Sequence, residues 1–318
     1  MKTTTIKSET IPQYNNSHYA VVDLGSNSFH LLVTDLTDNN IETVSKVKRK
    51  VRLAAGLNNQ NELSDEAIER GLDCLTLFAQ HLTSIPKENI RIVATAALRI
   101  ASNSNVFIRA ANKILPVNIK LLSGEQEANI IYSGVAHTCH DSSAQKRLVV
   151  DIGGASTELI IGESFNALHA ISLNLGCVSF NERYFSDNQL TANNFDNAIN
   201  AADKIIEPIA SDFIKLGWQT VLGSSGTMKA LIEILPSQQQ GTILSINFLQ
   251  KIKQELIAFK CIDNICFEGL RADRAAVLAS GLCILIALFN CLKIKELKLS
   301  SGALREGLLF ELLALQNE

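Results

Sequence analysis

The chain is short of the features that would tie it to a membrane, an export route or nucleic acid. Five prolines in 318 residues, with no Pro/Gly-rich stretch, exclude two domains hung on a flexible tether. Seven cysteines (74, 139, 177, 261, 266, 283 and 291) contain no C-x-x-C pair. Most sit in apolar surroundings and read as reduced thiols of a cytoplasmic protein. The net charge of −3 creates no global field to attract DNA or an anionic membrane, so any anion must be bound by local geometry. Residues 1–17 are polar, lack the apolar core of a signal peptide and read as a disordered tail. The longest apolar stretch, Ala275 to Leu292, is interrupted by Ser280, Gly281 and Asn290. It reads as a helix buried between domains rather than a membrane span. His137-Thr138-Cys139-His140 is the nearest approach to a metal cluster. Its residues are adjacent rather than at helix-face spacing, so it reads as a polar helix end or loop.

What the chain does contain is one unusual segment, twice. Ala20-Val21-Val22-Asp23-Leu24-Gly25-Ser26-Asn27-Ser28-Phe29-His30-Leu31 is echoed by Leu148-Val149-Val150-Asp151-Ile152-Gly153-Gly154-Ala155-Ser156-Thr157-Glu158-Leu159. Each copy reads as a buried-type strand, an aspartate, a glycine-containing polar turn and a second strand. The tip of such a hairpin offers backbone N–H groups and hydroxyls to an anion, beside a carboxylate that can hold a metal. At 318 residues and 47% hydrophobic content, there is enough chain for two domains of about 150 residues. The repeat therefore predicts two related half-structures clamping one phosphate chain.

The remaining pattern is mixed α/β. A basic strand-like segment, Lys46 to Leu53, is followed by a helix capped by Ser64. A strand at Ile90–Thr95 leads to a helix reaching Ile114, and Ile119–Leu122 is a strand. Ser123-Gly124 caps a helix running to about Val135. The second half repeats the logic: a strand near Ile171, a helix from Thr191 to Leu216, a strand at Thr220–Leu222, and a last strand at Glu296–Leu299 before a closing helix. The boundary between halves falls at 136–146. The basic segment fits either a polyanion surface or a solvated edge strand.

Phosphoryl hydrolysis needs anchors for phosphate oxygens, a divalent cation and a group that orients or deprotonates water. Gly25, Ser26, Asn27 and Ser28, with Gly153, Gly154, Ala155, Ser156 and Thr157, are the anchor candidates. Asp23 and Asp151 either hold a cation or cap their own turns. Glu127 and Glu158 are acid/base candidates, although spacing alone does not choose Glu127 over Glu125. Arg99 grips phosphate or is a solvated helix residue. Gly223-Ser224-Ser225-Gly226-Thr227 is a phosphate- or ribose-approaching loop or a plain strand–helix turn.

The two hairpins, Ser123-Gly124-Glu125-Gln126-Glu127-Ala128, Asn174-Leu175-Gly176-Cys177-Val178, Gly223–Thr227, Arg271-Ala272-Asp273 and Ser301-Gly302-Ala303-Leu304-Arg305-Glu306-Gly307 together resemble the exopolyphosphatase/guanosine pentaphosphatase (Ppx/GppA) family, in the family's order from Tyr19 to about Leu315. The resemblance implies two ribonuclease-H-like domains of the actin, hexokinase and heat-shock chaperone ATPase superfamily, with the site in the cleft between them. The domains would be 18–138 and 139–318, the closing helix packing back on the first. It also implies Mg²⁺-dependent release of a terminal phosphate from a small-molecule polyanion, either inorganic polyphosphate or guanosine pentaphosphate (pppGpp). In that reading Glu127 is the base for the attacking water, and Glu158 assists with water or metal. Arg99 and the hairpin tips grip the chain, and Asp151 is the metal carboxylate with Asp23 across the cleft.

Ala155 stands where the family's second hairpin usually has a third glycine. With Leu-Gly-Cys-Val-Ser-Phe-Asn-Glu-Arg-Tyr-Phe (175–185), this leans toward the guanosine pentaphosphatase branch. Long members carry a further helical, HD-like C-terminal region, whereas this chain stops at Glu318. Processive degradation, an extended channel and a dimer built by that region are therefore not carried over, and a homodimer is left open. The alternative reading is a catalytically weak sensor of (p)ppGpp or polyphosphate. Retention of both glutamates and both aspartates favours turnover.

Overall fold

The computed structural model describes residues 13–37, 40–139, 145–235 and 242–315. The first half runs β1 (His18–Leu24), β2 (Ser28–Thr37), β3 (Asn40–Lys50), α1 (Asp65–Leu82), β4 (Ile90–Ala94), α2 (Ala96–Ile100), α3 (Ser104–Ala111), β5 (Lys120–Leu121) and α4 (Gly124–Thr138). The second runs β6 (Arg147–Ile152), β7 (Thr157–Glu163), β8 (Asn166–Leu173), α5 (Cys177–Tyr184), α6 (Ala192–Leu216), β9 (Thr220–Ser224), α7 (Ser225–Ile234), β10 (Ile243–Ser245), α8 (Ile246–Phe259), α9 (Ala272–Ala275), α10 (Leu278–Leu292), β11 (Glu296–Leu299) and α11 (Leu304–Ala314).

The strands form two mixed sheets, ordered β3-β2-β1-β4-β5 and β10-β11-β9-β6-β7-β8. In each, a meander of three antiparallel strands is extended by parallel strands on the side of its first strand. The second sheet repeats the first with β10 added, which is the ribonuclease-H-like order the resemblance implies. Central strands buried on both faces need unbroken apolar runs, and Ala20, Val21 and Val22 in β1 and Leu148, Val149 and Val150 in β6 are fully buried.

The duplication extends to register. Asp23 faces His30 and Leu24 faces Phe29 across the first hairpin. Asp151 faces Glu158 and Ile152 faces Thr157 across the second. The two tips therefore have the same length and present equivalent positions.

Helices α4 and α11 join the halves. They pack on each other, α4 also rests on β7 and β8, and α11 rests on β1. Their residues share one buried cluster with Val21, Leu32 and Val93 of the first sheet and Val149, Ile160 and Leu222 of the second. The crossing is closer than side chains permit. A Cβ on Gly307 would run into the Ile130 carbonyl, and one on Gly134 into the Ala303 carbonyl.

Some elements differ from the sequence expectation. The helix expected through Leu98 to Ile114 is broken into α2 and α3, because the Asn103 amide turns back to bond both backbone groups of Leu63 at 2.9 Å. Residues 275–292 do not lie between the halves. Their helical core, α10, packs on α5, α6 and α8 inside the second half, and all of its residues but Asn290 and Cys291 are buried. Residues 1–12 of the expected tail and the 140–144 part of the boundary, His140 included, lie outside the described residues. The described end of that tail is anchored rather than loose, with Tyr14 buried in the core. Among the described residues, no helix is long and apolar enough to cross a membrane.

Candidate active site

The two hairpin tips meet at the bottom of a cleft. Two of their glycines permit this approach: a Cβ on Gly25 would lie 2.9 Å from the Ser28 carbonyl oxygen, and one on Gly154 would lie 2.9 Å from Ser26 Cβ and 3.0 Å from Asn27 N. The second tip is held from behind by α5, whose first amides, Cys177 N and Val178 N, donate to the carbonyls of Gly153 and Gly154 at 2.9 Å. Gly176 allows that approach, since any side chain there would strike Ala155 and Gly154. The Leu-Gly-Cys-Val run is thereby explained as a brace for the phosphate hairpin.

Above the tips lies a cavity of about 390 Å³. Gly25, Ser26, Asn27, Ser28, Gly153, Gly154 and Ser156 line it, as do Asp23, Asp151, Glu127, Glu158, Ser225, Gly226 and Thr227. Other nominated residues stand behind the wall. Thr157 Oγ1 donates to the Leu175 carbonyl at 2.6 Å, and Ala155 is buried in the core. The Gly223 carbonyl accepts from Ser300 N, and the Ser224 hydroxyl donates to Asp151 Oδ2. Arg99 does not line the cavity. It donates to Glu127 Oε2 at 2.8 Å, to the Leu122 carbonyl at 3.1 Å and to Ser172 Oγ at 3.4 Å.

Glu127 reaches the cleft because of how α4 begins. Ser123 and Gln126 form a reciprocal capping box, Gln126 N to Ser123 Oγ at 3.1 Å and Ser123 N to Gln126 Oε1 at 2.9 Å. That register leaves Glu125 exposed and turns Glu127 inward, on the buried face with Ile130 and Ile131. Glu158 projects beside it and accepts from Ser156 Oγ at 2.6 Å and Ser172 Oγ at 2.7 Å.

Four carboxylates thus share one partly desolvated space, and each holds its proton more strongly than usual. Burial pushes Glu127 up to about 7, against the opposing pull of Arg99. Burial, then the neighbouring Glu127 and Asp151, push Glu158 well above the usual range. Burial also raises Asp23 to about 6 despite Arg305, and raises Asp151 despite Ser224 and Lys229.

The opposite wall is basic and was mostly missed in the sequence. His30, Lys46, Lys48, Lys229, Arg271, Arg274 and Arg305 line the same cavity. Arg305 Nη1 lies 3.1 Å from His30 Nδ1. Burial, followed by the Arg305, Lys48 and Lys229 charges, holds His30 well below its ordinary value, so the ring is neutral and accepts. His30 occupies the register position in the first hairpin that Glu158 occupies in the second. That equivalence was the available sequence signal. Arg274 is steadied by Glu233 at 2.9 Å, and Lys48 and Lys50 reach across the cleft mouth to Asp273 at 3.5 and 2.5 Å.

Four cavity-lining oxygens are buried without a hydrogen-bond partner: Asp23 Oδ1, Ser28 Oγ, Ser225 Oγ and Thr227 Oγ1. Ser225 also has φ of +88°, a strained backbone for a non-glycine residue and of a kind concentrated at ligand clamps. Orphaned oxygens in a native cleft call for a partner. A cation on Asp23 and Asp151, and phosphate oxygens on the serines, would supply it. Among the described residues no three His, Cys, Asp or Glu side chains are grouped to hold a metal by themselves, so water and ligand oxygens would complete any such site.

Residues 32–316 match the Ppx/GppA phosphatase family. The chain belongs to that family. It is 50% identical over 296 residues to a guanosine-5'-triphosphate,3'-diphosphate pyrophosphatase of Photobacterium profundum, covering 93% of this chain and 59% of that protein. It is 52% identical over 295 residues to the Pseudoalteromonas translucida protein of the same name, covering 93% and 59%. The chain therefore spans about three fifths of the length of these curated relatives. The fold is that of an exopolyphosphatase from Cytophaga hutchinsonii, with a TM-score of 0.84 at 24% identity, covering 93% of this chain and 98% of that one. An Aquifex aeolicus member of the Ppx/GppA family gives 0.73 at 22%, covering 95% and 99%.

Proposed function

We propose that this chain hydrolyses the terminal phosphate of guanosine pentaphosphate, giving ppGpp, or of inorganic polyphosphate, in the cytoplasm. The observation that carries the reading is the single cavity with four proton-holding carboxylates on its floor, a basic wall opposite and unpartnered serine hydroxyls between. Such a charge pattern suits a polyanion that arrives with a divalent cation. The names of the relatives supply the substrate class.

Ser28, Ser225 and the amides of the two tips hold the terminal phosphate, while Lys48, Lys229, Arg274 and Arg305 neutralise the following groups. Mg²⁺ held by Asp23 and Asp151 would polarise the phosphoryl oxygens. Glu127 accepts the proton of the attacking water, its carboxyl being poised near neutral pH as a general base requires. Glu158, held by two serine hydroxyls, orients that water. The new P–O bond forms as the bond to the leaving phosphate breaks. All seven cysteines are unbridged, as suits a reducing compartment.

The test is phosphate release by the purified chain with Mg²⁺, offered pppGpp, long-chain polyphosphate and ATP in parallel. Release from pppGpp or polyphosphate over ATP, abolished by Glu127→Gln, is the expected result. Tight binding of either polyanion without release would replace the hydrolase by a sensor.

A further inference from the structure

We infer that Ser172 is a positioning residue that sets the spacing of the two glutamates across the cleft. The inference rests on the hydrolase reading above for its catalytic consequence, but its geometry stands alone. Glu127 and its partner Arg99 belong to the first half of the chain, Glu158 and Ser156 to the second. One side chain connects the two groups. Ser172 Oγ lies 3.4 Å from Arg99 Nη2, as acceptor, and 2.7 Å from Glu158 Oε1, as donor. A hydroxyl has one proton to give and lone pairs to accept with, so this single group satisfies both neighbours. The continuous path is Glu127 Oε2, Arg99, Ser172 Oγ, Glu158 Oε1 and Ser156 Oγ.

Ser172 reaches this point by strand register. It lies directly opposite Glu158 on the β7–β8 pair, so both side chains leave the same face of the sheet. The approach of the first half is permitted by Gly124, the opening residue of α4. A Cβ there would fall 2.5 Å from Ser172 Cβ and 3.1 Å from its Oγ. Loss of the hydroxyl leaves Arg99 and Glu158 without their common partner. The two carboxylates that must address one water are then free to drift, and misplacement of about 1 Å costs rate rather than affinity.

The experiment measures kcat, KM and Tm for the full chain with pppGpp and Mg²⁺. Ser172→Ala should lower kcat by about ten- to a hundredfold with KM unmoved, alongside a lower Tm from the loss of its bonds to Arg99 and Glu158, and Ser172→Thr, which keeps the hydroxyl, should restore most of the rate. Gly124→Ala should reproduce the kcat loss by pushing Ser172 aside, and should also lower Tm, because its Cβ would lie 2.5 Å from Ser172 Cβ. Unchanged kcat in Ser172→Ala, a loss shared with KM, or a threonine variant as slow as alanine would each overturn the assignment. A wild-type chain that releases no phosphate would sink the hydrolase reading alone. Positioning would then be read from unfolding of Ser172→Ala, Glu158→Gln and the double variant: non-additive changes support it, and additive ones overturn it.

Discussion

Arg99 Nη1 stands 2.8 Å from Glu127 Oε2, and it holds that carboxylate from outside the cavity rather than from within it. An arginine that gripped phosphate would govern KM. One that holds the base governs kcat and the base's ionisation. Arg99 lowers the pKa that burial raises in Glu127, so its removal should push that pKa further up. Arg99→Ala is therefore expected to reduce kcat more than it raises KM, and to move the acidic limb of the kcat profile to higher pH. Steady-state kinetics from about pH 5.5 to about pH 9 decide it, and a KM effect with an unmoved limb would restore the phosphate-gripping role.

Glu127 itself ties rate to stability with opposite signs. If Glu127 is the base proposed above, with its pKa raised to about 7, it must lose its proton to work, so the rate should rise as pH increases through about 7. Stability runs the other way. Between 4.5 and about 7 the folded state binds a proton that the unfolded chain has released, so stability falls as pH rises through that window. The loss is complete above it and amounts to about 3 kcal/mol for this group. Glu127→Gln should cut turnover by about a hundredfold or more while raising Tm at about pH 8 and changing it little at about pH 4.5. Thermal unfolding at the two pH values gives the check.

Most of this site was legible in the sequence because it is written in two hairpins. Aspartate, glycine and small polar residues at fixed offsets need only local geometry, and the repeated register superimposes Asp23 on Asp151. The basic wall was legible only in Lys46 and Lys48, as one of two readings of the basic strand-like segment. Lys229, Arg274 and Arg305 come from three separate helices, α7, α9 and α11, and meet only when the second half folds. A lone arginine on a helix cannot be told from a solvated one by spacing. Arg99 shows the converse: its position one turn past a strand suggested phosphate, and only tertiary packing turns it toward Glu127. The α2–α3 break was hidden because it depends on Asn103 reaching back to Leu63, a contact across 40 positions.

A divalent cation should matter most where the carboxylates repel one another. At about pH 8 Asp23, with a value raised to about 6, is ionised in a buried site beside Asp151, and its Oδ1 has no hydrogen-bond partner. Mg²⁺ should therefore raise Tm at that pH, with stabilisation of about 2.7 kcal/mol at roughly a hundred times its Kd. The effect should shrink at about pH 5, below the Asp23 value of about 6. Asp23→Asn should abolish the Mg²⁺-dependent shift while leaving the metal-free protein at least as stable. An equal shift in the variant would place the cation elsewhere.

The α4–α11 crossing predicts a change in stability that propensity alone would get wrong. Gly307 lies inside α11, where alanine should improve the helix by about 1 kcal/mol. Its missing side chain is what lets α11 touch the Ile130 carbonyl of α4. That carbonyl is backbone inside a helix, so it cannot swing aside as a flexible side chain would. Gly307→Ala must force the helices apart, opening the cluster that joins Val21 and Val93 to Val149 and Leu222. Overpacking of this kind costs about 1–3 kcal/mol, enough to outweigh the propensity gain. Urea unfolding should show a lower midpoint for Gly307→Ala, and for Gly134→Ala on the facing helix. Gly226→Ala, in α7 where a Cβ would meet nothing within 4 Å, should leave the midpoint no lower. Since α11 also carries Arg305, whose guanidinium meets His30 at 3.1 Å, the same displacement should weaken polyanion binding. An alanine variant at Gly307 that is more stable and binds normally would show that the crossing is looser than these contacts imply.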